Sequence, residues 1–201
     1  KIYSKNNKVK VRPNWIDINN PVQSRNKKNK ALLSVGRLED QKNYESVIKM
    51  LSNSNFEYHI YGEGSLYNKL VDLSESHNVT LKIFNRIDNE QLINTYSKYR
   101  YYLIPSYFEG NPKALLEAMS QGCIVLANKI PNHEEIIDNE KNGFLIDFET
   151  DNVADFIISL EREGVDLDKV SNNAIQYIEK NNSIENYIKK ERDDYQNLLS
   201  N

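Results

Sequence analysis

Two acidic residues, Glu109 and Glu117, have seven residues between them in a segment that runs from a loop into a predicted helix. Asn111 followed by Pro112 predicts an N-cap and a first helical position, which leaves Glu109 in the loop. A carboxylate accepts hydrogen bonds from paired hydroxyls, which sugars and ribose present. The spacing therefore favours a ligand that carries both. The alternative for Glu117 is an exposed ion pair with Lys113, one helical turn away.

A second group of polar residues follows the first predicted strand, in the segment SVGRLEDQKN (34–43). Gly36 allows close backbone approach, and Arg37 can bind two phosphate oxygens at once. Lys42 adds a point charge just before a predicted helix that begins near Asn43. Two cations beside a helix N-terminus indicate an anion site. Surface charges after a glycine are also common without any ligand, so this loop alone leaves that alternative open.

These loops require a scaffold that holds them at one edge. Short apolar runs alternate with segments whose apolar residues recur at helical spacing, which predicts a repeated strand–helix unit. Such units form a parallel sheet with helices on both faces, where ligands bind at the carboxyl ends of the strands. We predict an α/β, Rossmann-like, doubly wound sheet of about six strands, with extra C-terminal helices. The predicted strands are 31–36, 58–62, 79–84, 101–106, 123–128 and 143–147.

The composition of the 201 residues fits one globular domain with tails. The net charge is −3, yet residues 1–30 carry nine Lys or Arg and one acid, Asp17. This basic arm is either a solvated linker or a contact for anionic lipid or an acidic partner domain. The acidic remainder of the chain argues against nucleic acid as a partner. No apolar run is long enough to span a membrane, and the single Cys123 suits a cytoplasmic protein.

Metal-ligand patterns are absent from the sequence. The three histidines, His59, His77 and His133, are scattered, and no Cys/His cluster or convergent Asp spacing occurs. His59 lies in the middle of a predicted strand and is expected to be structural. We therefore expect neither a metal nor a cofactor.

Four motifs together resemble the retaining GT-B glycosyltransferases of the GT4 family, over roughly residues 9–199. Glu109 and Glu117 match the pair of acids that this family carries with seven residues between them. The chain departs from the family pattern at Asn85, where glycine is usual, and at KIPNHEE (129–135). The four motifs are PNWID (13–17), GRLEDQK (36–42), PSYFEGNPKALLEAMSQG (105–122) and EIIDNEKNG (135–143).

The resemblance assigns three residues to catalysis. Arg37 and Lys42 would hold the donor diphosphate, and their charge would stabilise it as it leaves the sugar. Glu109 would contact hydroxyls of the sugar that is transferred. The family retains the anomeric configuration by a front-face departure in which the diphosphate takes the acceptor proton, so it implies no enzyme nucleophile and no metal.

The other matched residues would bind the substrate. Gly36 would give the ligand close access to the backbone, and the amides of Gly110 and Asn111 would assist at the sugar. Glu117 would accept hydrogen bonds from the ribose hydroxyls. The backbone of Ile87 would pair with the base, whose identity the sequence leaves open.

A complete GT-B enzyme has two Rossmann-like domains, and this sequence resembles one of them. We expect a basic linker and crossover at 1–30, a donor-binding domain at 31–182, and a C-terminal helix at 183–201 that packs on a missing N-terminal acceptor domain. The full-length protein would be a hexosyltransferase of class EC 2.4. It would use a UDP- or GDP-sugar and a saccharide or lipid-linked acceptor in bacterial surface polysaccharide synthesis. The isolated domain would transfer little.

Two alternatives stay open. One is a nucleotide-binding GT-B-like module without transferase activity, and the other is a GT-B sugar-nucleotide epimerase, which would be expected to lack the EGNPKALLE block. An upstream domain of similar size would support the transferase. In each case we expect a cytoplasmic protein, which could attach peripherally to the inner face of the cell membrane.

Overall fold

Six apolar segments pair side by side in the computed structural model, which describes residues 14–17 and 29–199. They form one sheet in which every neighbouring pair is parallel, in the order β3-β2-β1-β4-β5-β6. The predicted α/β sheet of about six strands is confirmed. The strands are β1 (Asn29–Val35), β2 (Tyr58–Tyr61), β3 (Leu81–Phe84), β4 (Tyr99–Ile104), β5 (Ile124–Asn128) and β6 (Phe144–Ile146).

Helices lie on both faces of this sheet. Neighbouring residues of β1 show it directly, because Leu32 packs into one apolar core and Leu33 into the other, and both are fully buried. Side chains alternate along a strand, so burial on both faces favours apolar residues at successive positions. The helices are α1 (Tyr44–Met50), α2 (Tyr67–Ser76), α3 (Asn89–Tyr96), α4 (Lys113–Ser120), α5 (Pro131–Glu134), α6 (Val153–Arg162), α7 (Leu167–Asn181) and α8 (Ile184–Leu199).

The strand order reverses between β1 and β4. The chain moves outwards from β1 through β2 to β3, then returns to β4 on the other side of β1. The loops after β1 and β4 therefore leave the same edge of the sheet in opposite directions and open a crevice there. This places the segments 36–43 and 105–112, which carry most of the candidate site residues, next to each other.

Two details differ from the predictions. Helix α4 begins at Lys113, and its N-cap position is Pro112, with no side-chain cap, so the predicted N-cap role of Asn111 is wrong. The backbone N–H of Lys113 instead donates to the carbonyl oxygen of Asn111 over 2.8 Å. Helix α7 was not predicted. Its buried residues are only Leu167, Val170, Ala174 and Ile178, among many polar residues.

The short described segment 14–17 pairs with the chain just before α8. The N–H of Ile16 donates to the carbonyl of Asn182 over 2.9 Å, and the N–H of Ile184 donates back to Ile16 over 3.2 Å. Residues 1–13, 18–28 and 200–201, which include most of the predicted linker, lie outside the described residues. No helix in the described ranges is long and apolar enough to cross a membrane.

The turns after β1 and β2 approach each other more closely than side chains would allow. A Cβ atom at Gly62 would collide with the carbonyl oxygen of Gly36. We expect Gly62→Ala to lower the free energy of unfolding by about 3 kcal/mol, the upper end of the usual cost of overpacking. The reason is that the backbone at Gly62 must move away from the backbone at Gly36. Urea unfolding measures this. Gly110→Ala is the control, since its Cβ would meet nothing within 4 Å, and equal midpoints for the two variants would contradict the prediction.

Candidate functional site

An ion pair joins the two loops that meet at the reversal of the sheet. Lys42 Nζ lies 2.6 Å from Glu109 Oε1, and the two side chains are only 17% and 9% exposed. Charges with so little water around them interact more strongly than a surface pair does. The structure thus brings together two of the three candidate catalytic residues, which are distant in the sequence.

A short 3-10 helix, Asp40–Lys42, presents Lys42 to this partner. The helix ends at Asn43, which adopts a left-handed conformation with φ of 53°, a region that asparagine tolerates better than most residues. The buried side chain of Asn43 then donates to the carbonyl oxygen of Pro105 over 3.3 Å. The turn after β1 and the loop after β4 are therefore held together by amide contacts as well as by the ion pair.

A cavity of about 460 Å³ opens beside the pair, at the ends of the first three strands. Its wall includes Gly36, where a Cβ atom would lie 3.0 Å from Cε of Lys42, so the cavity and the ion pair adjoin. Arg37 is exposed at this wall and has no partner among the described residues, which leaves its guanidinium available to an anion. Ile87 also lines this cavity. Three of the eight candidate residues, Gly36, Arg37 and Ile87, thus line one cavity, and Lys42 lies beside it.

Glu117 is buried, with 4% of its surface exposed. Its Oε1 accepts a hydrogen bond from Asn89 Nδ2 over 2.8 Å and lies 3.5 Å from Lys113 Nζ. Its Oε2 accepts from the hydroxyl of Tyr96 over 3.4 Å. The ion pair with Lys113 exists, but the carboxylate is not on an exposed helix face. Because Asn89 also lines the cavity, Glu117 lies directly behind the cavity wall.

Gly110 and Asn111 are exposed at the mouth of the loop. The backbone N–H groups of Glu109, Gly110 and Asn111 have no acceptor in the described part of the chain. Exposed, unpaired donors beside a carboxylate can bind hydroxyl or phosphate oxygens. The structure therefore brings these two residues into the same group as the ion pair.

Sequence reasoning missed three polar residues of the cavity, Glu63, Arg86 and Asn89. Arg86 immediately precedes Ile87 and is exposed, and its backbone N–H donates to Glu63 Oε1 over 3.3 Å. A basic residue just after a predicted strand was a usable signal for Arg86. Asn89 carried no such signal, because its contact with Glu117 depends on how α3 packs against α4.

Several polar atoms beneath the site are buried without a partner, among them Nε2 of His133 and the hydroxyl of Tyr44. Nδ1 of His133 donates to the carbonyl oxygen of Asn128 over 2.8 Å, so Nε2 is the bare acceptor of a neutral ring. Burial lowers the pKa of His133, while the charge of Glu109 opposes that shift. Burial, and then the charge of Glu109, raises the pKa of Tyr44 far above its usual range. Both groups are therefore neutral at pH 7.

No group of three or more His, Cys, Asp or Glu side chains is arranged to hold an ion anywhere in residues 14–17 or 29–199. The expectation that the protein needs no metal stays a prediction.

Comparison with known proteins decides the family. The sequence model described as glycosyl transferases group 1 matches residues 16–180, which is most of the chain. The chain belongs to this family. The sequence motifs of this group 1 chain resemble those of glycosyltransferases, and the family match confirms that resemblance.

A curated relative supports the assignment. The chain is 30% identical over 188 residues to an Escherichia coli protein named UDP-Gal:alpha-D-GlcNAc-diphosphoundecaprenol alpha-1,3-galactosyltransferase, covering 82% of this chain and 47% of the relative. Other curated relatives are covered to 34% and 25% of their length. The group 1 chain therefore spans between a quarter and a half of the length of these relatives.

Solved structures share the fold. The group 1 chain superposes on Anabaena HepE, solved in complex with UDP and glucose, with a TM-score of 0.79 at 16% identity over 96% of this chain and 57% of that one. It superposes on the pneumococcal O-GlcNAc transferase GtfA, solved with UDP and GlcNAc, with a TM-score of 0.71 at 22% identity, over 94% and 39% of the two chains. At these identities the likeness concerns the fold alone.

The ion pair should contribute to the stability of the group 1 chain. We expect Lys42→Met to lower the free energy of unfolding by about 3 kcal/mol, since it leaves Glu109 nine-tenths buried without its cation. Lys113→Met is the matched control, because that lysine is 55% exposed and 3.5 Å from its partner; its removal should cost at most about 1 kcal/mol. Chemical denaturation measures both, and a larger loss for Lys113→Met would refute the ranking.

His133 should make the stability sensitive to acid. Its pKa is lower in the folded chain than in the unfolded chain, so the unfolded state binds the proton more readily as the pH falls below about 6.5. The stabilisation is complete above that pH and is lost as the pH falls towards the folded pKa. We expect the difference in unfolding free energy between the wild type and His133→Gln to shrink from about pH 7.5 to 5.5. Parallel pH curves would contradict this.

Proposed function

We propose that this chain is the donor-binding domain of a retaining GT4 glycosyltransferase, which transfers a sugar from a UDP- or GDP-sugar to a saccharide or glycolipid acceptor. The observation that carries the proposal is the Lys42–Glu109 pair at the edge of the cavity lined by Arg37 and Ile87. Two cations for a diphosphate and a carboxylate for sugar hydroxyls lie at one edge of the sheet. This arrangement matches the chemistry that a nucleotide sugar presents.

The diphosphate would lie between Arg37 and Lys42. The free guanidinium of Arg37 can bind two phosphate oxygens, and Lys42 can turn from Glu109 towards the more highly charged diphosphate. This exchange would release Glu109 to accept hydrogen bonds from the hydroxyls of the sugar. Binding of the nucleotide sugar would therefore position both the diphosphate and the sugar, which are the two groups joined by the bond that breaks.

The nucleoside would occupy the cavity. Ile87 lies on its wall, and Asn89 separates it from the carboxylate of Glu117. Ribose hydroxyls can join or replace the amide of Asn89 as donors to Glu117. Arg86 and Glu63 also line this end of the cavity, so it carries one charge of each sign.

The reaction would retain the configuration at the anomeric carbon. The bond between that carbon and the diphosphate oxygen breaks, and the bond to the acceptor oxygen forms on the same face. The acceptor proton passes to the departing diphosphate, whose charge Arg37 and Lys42 stabilise. Glu109 contacts the sugar and forms no covalent bond with it. No metal is needed for the balance of charge in this scheme.

The complete enzyme would need a second domain for the acceptor. The chain spans between a quarter and a half of its curated relatives. Trp15, Ile188 and Tyr195 are 41%, 58% and 64% exposed, and they lie on the paired segments that the family resemblance assigns to the domain crossing. We propose that these residues pack on that acceptor domain, and that the isolated chain binds donor but transfers little.

The biological setting follows from the relatives. The Escherichia coli relative is named for a diphosphoundecaprenol acceptor. We propose a saccharide or lipid-linked acceptor of the same class, in bacterial surface polysaccharide synthesis at the cytoplasmic side of the membrane. The comparisons favour neither the epimerase nor the module without transferase activity.

Calorimetric titration with UDP, GDP and their glucose and N-acetylglucosamine conjugates, in EDTA, tests donor binding. The wild type should bind one nucleotide saturably. Arg37→Ala and Glu117→Gln should each weaken that binding by about tenfold or more, because each removes a charge-assisted hydrogen bond worth roughly 1.5–3 kcal/mol. Arg162→Ala removes a guanidinium from α6, which lies outside the cavity, and should leave affinity unchanged.

Three results would reject the proposal or part of it. Failure of the wild type to bind any of these ligands, either in EDTA or with Mg²⁺ added, rejects donor binding by this chain. Equal affinity in Arg37→Ala and Arg162→Ala rejects the assignment of the diphosphate to Arg37. Binding that requires Mg²⁺ rejects the metal-free scheme.

A further inference from the structure

Several backbone carbonyl groups of the loop after β4 accept hydrogen bonds from side-chain amides. Four amide groups donate to four carbonyl oxygens within six residues, and we call these four residues the amide clamp. The bonds run from Asn43 to Pro105 over 3.3 Å, from Asn128 to Ser106 over 3.1 Å, from Gln41 to Phe108 over 2.7 Å, and from Asn132 to Gly110 over 2.9 Å.

Two members of the clamp act at the part of the loop that carries the site. Gln41 contacts this loop twice, because its backbone carbonyl oxygen also accepts a hydrogen bond from the backbone N–H of Tyr107 over 2.9 Å. Asn132 reaches the loop from the other side, after β5. Both side chains are half-buried, so neither is a core residue whose packing explains its amide.

The geometry of the peptide bond converts these contacts into control of the site. In a trans peptide the C=O of one residue and the N–H of the next lie in one plane and point in opposite directions, and the described residues contain no cis peptide. Fixing the carbonyl of Phe108 therefore fixes the N–H of Glu109. Fixing the carbonyl of Gly110 fixes the N–H of Asn111. Neither N–H has an acceptor among the described residues.

We propose that Gln41 and Asn132 are positioning residues of the donor site, each holding one peptide so that its N–H points away from the protein towards oxygens of the donor sugar and diphosphate. This rests on the proposed function. Backbone N–H groups that already point towards the ligand can bind it without the entropy cost of ordering the loop. Loss of the side-chain amide of Gln41 or of Asn132 should therefore weaken binding of the nucleotide sugar, because one backbone N–H is no longer held in its orientation. Neither side chain touches the nucleotide sugar itself.

The test compares Gln41→Met and Asn132→Ala with the wild type. Both changes remove the amide without adding charge. Gln176→Met and Asn172→Ala on α7 are the matched controls, since their side chains have no partner in the described residues. Order parameters from ¹⁵N relaxation report each N–H separately, and a rigid backbone gives about 0.85 while a flexible one gives below about 0.6.

We expect the wild type and both controls to be rigid at Glu109 and Asn111. Gln41→Met should lower the order parameter at Glu109 more than at Asn111, and Asn132→Ala should do the reverse. In parallel, affinity for the UDP- or GDP-sugar that the wild type binds should fall about tenfold in each variant, while affinity for the corresponding nucleoside monophosphate stays the same. A merely structural role would instead weaken both ligands together.

The outcomes separate this inference from the proposed function. Unchanged order parameters at both amides overturn the inference whatever the ligand results are. A wild type that binds a nucleotide sugar, with variants that bind it equally well, also overturns the inference and leaves the proposed function standing. A wild type that binds no nucleotide sugar overturns the proposed function, and with it the role given to the clamp.

Discussion

The pairing of β1 with β4 is the constraint on which the site depends. Backbone pairing sets Leu33 beside Tyr102, so the two strands end together and their loops meet. Ser34 reinforces this junction, because its hydroxyl donates to the carbonyl of Leu103 over 2.7 Å and accepts from the hydroxyl of Tyr58 over 2.8 Å. Three adjacent strands are thus joined by side chains just below the crevice. The ion pair between Lys42 and Glu109 and the amide contacts from Gln41 and Asn43 therefore join two loops that the pairing of β1 with β4 already holds together.

The fold could be predicted because its signals are local. Apolar runs of strand length, separated by helical spacing, give the sheet and both helical layers without knowledge of any tertiary contact. The start of α4 was misplaced by one position because Asn-Pro is a strong capping signal that the backbone at Pro112 does not follow. Helix α7 was missed because its apolar stripe is thin, and its burial is decided by contact with α4.

The candidate site was only partly accessible from the sequence. Charged and glycine residues at predicted strand ends could be found from their types, which is how Gly36, Arg37 and Lys42 entered the argument. The burial of Glu117 could not, because it depends on Asn89 and Tyr96 from another helix. The clamp was equally invisible, since asparagine and glutamine are common on surfaces and nothing local shows which carbonyl each will meet. Side-chain amides gain a specific role only from tertiary structure.

The contact between segment 14–17 and the start of α8 has a mechanical consequence. Three hydrogen bonds cross this contact. Two are the backbone bonds that Ile16 makes with Asn182 and Ile184, and the third runs from the side chain of Asn182 to the carbonyl oxygen of Asn14. A tension that pulls these two stretches of chain apart is resisted first by this short clasp. The sheet lies between them in the sequence, so it bears load only after the clasp has opened. The crevice is in this way insulated from strain that reaches it through the chain.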